Sequence, residues 1–202
     1  NTLVVSLEER TGKKFFPVHR LDRETSGAIL LGKNAEAASA VQKNFSNVSK
    51  EYIAIVRGVT AESFSVDVPI GPARNSIIKK KREAYPGAEE SALTHFNRIS
   101  ASGEYSLVKA RLVTGRMHQI RVHLKYSGHP IVGDKMYSDD ETIYIDYVES
   151  GLTPELILRA GFHRCALHSS LIVFYDNYEK IEKHVSAPLP DDMSSLAAVL
   201  KI

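Results

Sequence analysis

The sequence predicts one mixed α+β domain built on a largely antiparallel sheet, and three observations carry that prediction. Two strand-like runs, "ALTHFNRIS" (92–100) and "YSLVKARLV" (105–113), flank the turn "ASGE"; the second sets Val108, Ala110 and Leu112 on one face, as a hairpin strand does. Several helical segments carry their own start and stop signals. At 202 residues, with no internal repeat, low-complexity tract or clear linker, the chain suits a single domain over 1–202.

In chain order, "NTLVVSLEERTG" (1–12) is expected as a short helix ended by Gly12. "AILLGK" (28–33) reads as a short buried strand. "NAEAASAVQKNF" (34–45) is an Ala-rich helix capped by Asn34, with Ala38, Val41 and Phe45 on one side. "KEYIAIVRG" (50–58) is a strand closed by Gly58, and "SFSVDVPIG" (63–71) another. After the hairpin, "RMHQIRVHLKYSG" (116–128) is a helix ended by Gly128, with Met117, Ile120 and Leu124 as its apolar stripe. "TPELILRAG" (153–161) is a short helix opened by Thr153 and Pro154. "CALHSSLIVFY" (165–175) is a strand, and "DDMSSLAAVL" (191–200) a closing helix.

Hydrophobic content of 43% and charged content of 25% are ordinary for a soluble globular protein. No apolar run approaches the roughly 18 residues of a membrane span, and no segment resembles a secretory leader. The chain opens on Asn1 rather than Met, which reads as a fragment. Its one cysteine, Cys165, has no internal disulfide partner; this suits a reducing compartment, and a cytoplasmic location is expected. A net charge of +2 conceals segregation. Residues 105–133 hold no acid but carry Lys109, Arg111, Arg116, Arg121 and Lys125, whereas acids gather in "DDETIYIDYVE" (139–149). A second basic cluster, "KKKR", runs over 79–82. Such a field attracts phosphate; two solvated faces are the other reading.

The stretch "PVHRLDRETSG" (17–27) places one carboxylate, Asp22, among basic and turn-forming residues. Other chemistries fit poorly. "GAILLGKN" (27–34) nearly matches a phosphate loop, but Asn34 replaces the Mg²⁺-holding hydroxyl and "AILL" is strand-like. His118 and His123 are five apart, about 140° around a helix, and no C-x-x-C or H-E-x-x-H pattern occurs, so no metal site is expected. No serine sits in a G-x-S-x-G elbow. Asp22 and Glu24 would serve as a glycosidase-like pair only if one had a raised pKa, against which the flanking arginines argue. Arg121 borders the apolar stripe of its helix. Either it takes a carboxylate partner, for which Asp22 is a candidate, or it runs its stem along the surface to water.

Three blocks, "HRLDRETSG" (19–27), "KEYIAIVRG" (50–58) and "TGRMHQIRVHLKYSGHPIVGDKMY" (114–137), resemble the signature blocks of the RluA-type pseudouridine synthases, in the same order. "VDVPIG", "SALTHF", "CALHSSLIVF" and "APLPDD" resemble lesser landmarks, so the resemblance runs from Phe16 to the C-terminus. It implies a central, mostly antiparallel sheet flanked by helices and loops, with the site in a basic cleft. It implies that Asp22 is the catalytic carboxylate, Tyr52 the ring against the target uracil, and Arg121 the partner of the aspartate. Arg20 matches a residue that fills the gap left by an extruded nucleotide. His19, Arg116 and His118 border the inferred site, and Lys79, Lys80 and Lys81 with the acid-free segment are expected to meet RNA phosphates. The family's catalytic domain begins with an additional strand, so the chain is expected to lack that strand and any upstream S4-type RNA-binding domain.

Isomerising uridine to pseudouridine breaks C1′–N1, turns the base and rejoins it through C5, which requires neither a redox cofactor nor a metal. The expected partner is ribosomal or transfer RNA, bound by a monomer with no membrane association. A non-catalytic RNA-binding module and a glycosidase-like hydrolase are the rival readings.

Overall fold

The structure, a computed structural model, describes residues 2–176 and 179–202, so the Asn1 end of the first expected helix lies outside it. Helix α1 (Leu3–Thr11) starts on the Thr2 side chain and ends at Gly12 in the left-handed region, as the sequence predicts. The pair β1 (Phe16–Pro17) and β3 (Leu31–Gly32) forms a small antiparallel ladder, with β2 (Ser26–Gly27) between them in sequence. Asn34 caps α2 (Ala35–Lys43) through its side chain, 2.7 Å from Ala37 N, and a 3₁₀ turn (Phe45–Asn47) follows. Then come β4 (Ser49–Arg57), β5 (Ser63–Asp67), β6 (Ile70–Pro72), β7 (Arg82–Ala84), β8 (Leu93–Ser102) and β9 (Tyr105–Leu112). The remaining elements are α3 (Gln119–Tyr126), α4 (Thr142–Ser150), α5 (Pro154–Ala160), β10 (Leu167–Asp176), β11 (Ile181–Ser186) and α6 (Asp191–Leu200).

The main sheet runs β11-β10-β4-β9-β8-β5, every neighbour antiparallel, and β2 adds a short parallel pair to β10. The β8–β9 hairpin closes at Ser102 opposite Tyr105, so the turn falls within the expected "ASGE". Tyr52, Ala54 and Val56 of β4 share one buried cluster with Val108 and Ala110 of β9 and Phe96 of β8. Ile120 and Leu124 of α3 and Met193 and Ala197 of α6 belong to the same cluster. Val122, on another side of α3, joins a second cluster with Ile70, Ala84 and Tyr137. Helix α3 is thus buried on two sides, which fixes its rotation and the direction of Arg121.

Several elements differ from the sequence expectation. The run 28–33 is not one strand: Ala28 N bonds to Ser169 O, whereas Leu30 exchanges bonds with Val18 and His19, so the chain changes partners halfway. The run 63–71 also splits, because Pro69 has no N–H and the Val68 carbonyl accepts from His123 Nε2 at 3.0 Å. The helix expected from Arg116 begins at Gln119, whose side chain accepts from Arg116 N and Thr114 Oγ1 in a turn that precedes it. Met117 is therefore 49% exposed rather than part of the core. Helix α4 occupies most of the acidic stretch 139–149, and β7 and β11 have no counterpart among the sequence expectations.

Asp22 sits on a loop fastened at both ends. Upstream, Leu30 N donates to His19 Nε2 at 3.0 Å; within it, Thr25 N bonds to Asp22 O at 3.0 Å. Downstream, β2 lies so close to β10 that a Cβ on Gly27, at φ 112°, would collide with the Ser169 backbone. Gly27→Ala is expected to cost at least about 1–3 kcal/mol from backbone strain alone, with the clash added. Thermal unfolding checks this, and an unchanged melting temperature would refute the close approach.

Candidate active site

Three of the sequence-predicted residues meet around one cavity of about 280 Å³: Asp22 from its loop, Tyr52 from β4 and Arg121 from the first turn of α3. Arg121 Nη1 donates to Asp22 Oδ2 at 2.9 Å, although 99 residues separate them in sequence. The rest of the guanidinium is held from behind. Its Nε and Nη2 donate to Asp134 Oδ2 and Oδ1 at 2.7 and 2.8 Å, a bidentate pair, and its centre lies 4.8 Å from the Tyr137 ring centroid. The Asp134 side chain is fully buried, and its Oδ1 also accepts from Met136 N and Tyr137 N. Burial alone would push Asp134 up; the Arg121 charge and these N–H groups outweigh it and hold its carboxyl below the usual range. Asp134 thus aims Arg121, and Arg121 aims Asp22.

Tyr52 is 7% exposed. Burial, reinforced by the Asp22 charge, pushes its phenol up to about 12, so it remains protonated at neutral pH. Glu24 takes no part in a carboxylate pair: it accepts Lys135 Nζ at 2.9 and 3.0 Å and Cys165 N at 3.1 Å. A second cavity of about 590 Å³, with Arg23, Tyr144 and Tyr147 among its walls, shares Asp22, His118 and Arg121 with the first.

His19, Arg20, Arg116 and His118 all line the first cavity. His19 accepts a backbone N–H and lies 5.4 Å from the Phe45 ring, and burial lowers its pKa, so it is a neutral packing group. Arg20 is exposed at the rim of both cavities with no carboxylate partner among the described residues, and Arg116 Nε donates to Ser91 O at 2.9 Å. The structure does not bring Lys79, Lys80 and Lys81 to this cavity. Lys79 and Lys80 lie in a groove against α4, and Lys81 pairs with Glu141 at 2.6 Å.

Two site residues escaped the sequence reading. Asp134 is the first acid after the acid-free run 105–133, a position that marks it as the counter-charge of that run. Lys50 opens the second block and, two residues from Tyr52, shares its face of β4. It is 8% exposed, its Nζ 4.1 Å from the Phe45 ring centroid, with no carboxylate partner among the described residues. Burial lowers its pKa.

The sequence pattern of the RNA pseudouridylate synthases matches residues 2–126, and the chain belongs to that family. It is 35% identical over 189 residues to ribosomal large subunit pseudouridine synthase D of Vibrio parahaemolyticus, covering 91% of this chain and 55% of that protein. It is 34% identical over 182 residues to tRNA pseudouridine synthase C of Haemophilus ducreyi, covering 84% and 70%. The solved structure of human RNA pseudouridylate synthase domain containing 4 matches with a TM-score of 0.74 at 25% identity, over 98% of this chain and 82% of that one. The chain spans about half the length of the Vibrio protein. Among the described residues no helix is long and apolar enough to cross a membrane.

Proposed function

We propose that this protein isomerises uridines of ribosomal or transfer RNA to pseudouridine, with Asp22 as the catalytic carboxylate. One observation carries the reading: a carboxylate open to a nucleoside-sized cavity, held on one oxygen by an arginine that a buried acid fixes from behind. The Asp22 carboxylate acts at the sugar to release N1 from C1′, and preorganised aim is what the Arg121 contact supplies. Tyr52 gives the detached base a flat wall while it turns, and its phenol, protonated at neutral pH, offers that base a hydrogen-bond donor. The names of the Vibrio and Haemophilus relatives support ribosomal and transfer RNA as the substrate classes. Extruding a stacked uridine costs a few kcal/mol, which Arg20, Arg116 and Lys50 around the cavity offset by phosphate contacts.

Release of tritium from RNA labelled at uridine C5, without free uracil, tests the reaction. Free uracil would mean hydrolysis, and no release from any cellular RNA would sink the proposal. The engagement of Glu24 by Lys135 already disfavours a hydrolase working with two free carboxylates. Lys50 provides a separate check. Lys50→Met removes a buried charge with no acid partner among the described residues, so stability in urea should hold or rise by about 1 kcal/mol. RNA affinity should meanwhile fall about tenfold, the worth of one charged hydrogen bond, in a filter-binding assay. Loss of stability with unchanged affinity would make Lys50 structural only.

A further inference from the structure

Asp22 has two oxygens in different surroundings. Oδ2 receives Arg121 Nη1, whereas Oδ1 faces His118 Nε2 across 3.9 Å, too far for a direct hydrogen bond. Both side chains line the cavity that contains Tyr52. The state of the imidazole follows from its far side. Tyr137 is 1% exposed, and its hydroxyl oxygen accepts the Arg82 backbone N–H at 3.1 Å. That hydroxyl has one proton to place, and His118 Nδ1 stands 2.8 Å away to accept it. Nδ1 therefore carries the lone pair and Nε2 the hydrogen, on the side of Asp22. Burial and the Arg121 charge lower the His118 pKa, with Arg20 adding to them and Asp22 and Asp134 opposing, so the neutral donor persists at pH 7. The backbone bears a cost for this placement: His118 has φ 59°, a left-handed conformation uncommon for a residue with a side chain.

A donor and a carboxylate oxygen 3.9 Å apart leave a gap that one hydroxyl closes. An oxygen about 2.8 Å from each accepts from Nε2–H and donates to Oδ1. We infer that His118 and Asp22 form a subsite for the ribose 2′-hydroxyl of the target uridine, with the Tyr137 hydroxyl setting the direction of the hydrogen bonds. The inference rests on the uridine reading above. The 2′-hydroxyl distinguishes RNA from DNA at a single nucleotide, so the subsite selects ribose and seats the sugar against the carboxylate.

Nitrogen NMR of the ¹⁵N-histidine-labelled chain tests it without turnover. Free His118 should show the Nε2–H tautomer, and Tyr137→Phe should lose that bias. Uridine 5′-monophosphate should shift the His118 nitrogens, and 2′-deoxyuridine 5′-monophosphate should leave them in place. The opposite tautomer, equal shifts with both nucleotides, or none with either overturns the subsite. In turnover, His118→Phe should lose about tenfold in kcat/KM, while His118→Gln, which restores an N–H donor, should retain most of it. Equal losses in both variants also overturn it. If no RNA releases tritium, the synthase reading fails while the NMR result still decides the subsite.

Discussion

Asp22→Asn is expected to lower tritium release by on the order of 10³-fold or more, while the protein stays folded and binds RNA nearly as well as the wild type. The amide is close to the carboxylate in shape but has no charge to offer the sugar. Stability should hardly change, because the Asp22 side chain is 26% exposed and Arg121 keeps its bidentate contact with Asp134. Single-turnover tritium release, read beside filter binding and thermal unfolding, separates these effects. Turnover within tenfold of wild type would remove Asp22 from the chemistry; equal loss of binding and turnover would make it a binding residue only.

Asp134→Asn should have the largest effect on stability. Its carboxylate is fully buried, neutralises Arg121 and accepts two backbone N–H groups. Removing one member of such a pair costs about 3 kcal/mol or more, and activity should fall with it because Arg121 loses its backing. Urea unfolding measures the first and tritium release the second. The effect should also depend on pH. Asp134 in the folded protein holds its proton less tightly than the unfolded chain does, so as pH falls the unfolded state binds a proton first. Its contribution is whole above the ordinary aspartate value of about 4 and is lost as pH drops through the lower folded value. The difference between wild type and Asp134→Asn should therefore shrink on acidification below about pH 4. A difference constant down to pH 2, or a variant as stable as wild type at pH 7, would show that Arg121 does not need this partner.

The two variants also separate the parts played by their residues. Asp22 meets the cavity and Asp134 never does, yet both act through the same guanidinium. A double variant should lose little more activity than Asp22→Asn alone, since residues serving one chemical unit are not additive.

Sequence by itself determined the elements whose signals are local. Gly12 ends α1, the Asn34 side chain opens α2, Thr153 and Pro154 start α5, and the alternating residues around "ASGE" form the β8–β9 hairpin. In each case the deciding hydrogen bond or dihedral lies within a few residues of its cause. The sequence blocks also singled out Asp22, Tyr52 and Arg121, and identified Asp22 as the candidate partner of Arg121. Tertiary structure decided the rest, because the competing partners are far away in the chain. The run 28–33 splits since Ser169 takes one half and His19 the other. Helix α4 escaped notice because its own side chains provide no cap and Ile143 is its one buried residue, so its sequence looks like a solvated acidic surface. Charge counting could not show that Lys81 is already matched by Glu141, or that Lys50 faces the cavity with no acid partner among the described residues. Nor could it show that Arg121 reaches Asp22 only because Asp134, from the loop after α3, holds the other edge of the guanidinium. A buried charge takes its meaning from its neighbours in space, and those neighbours exist only once the chain has closed around them.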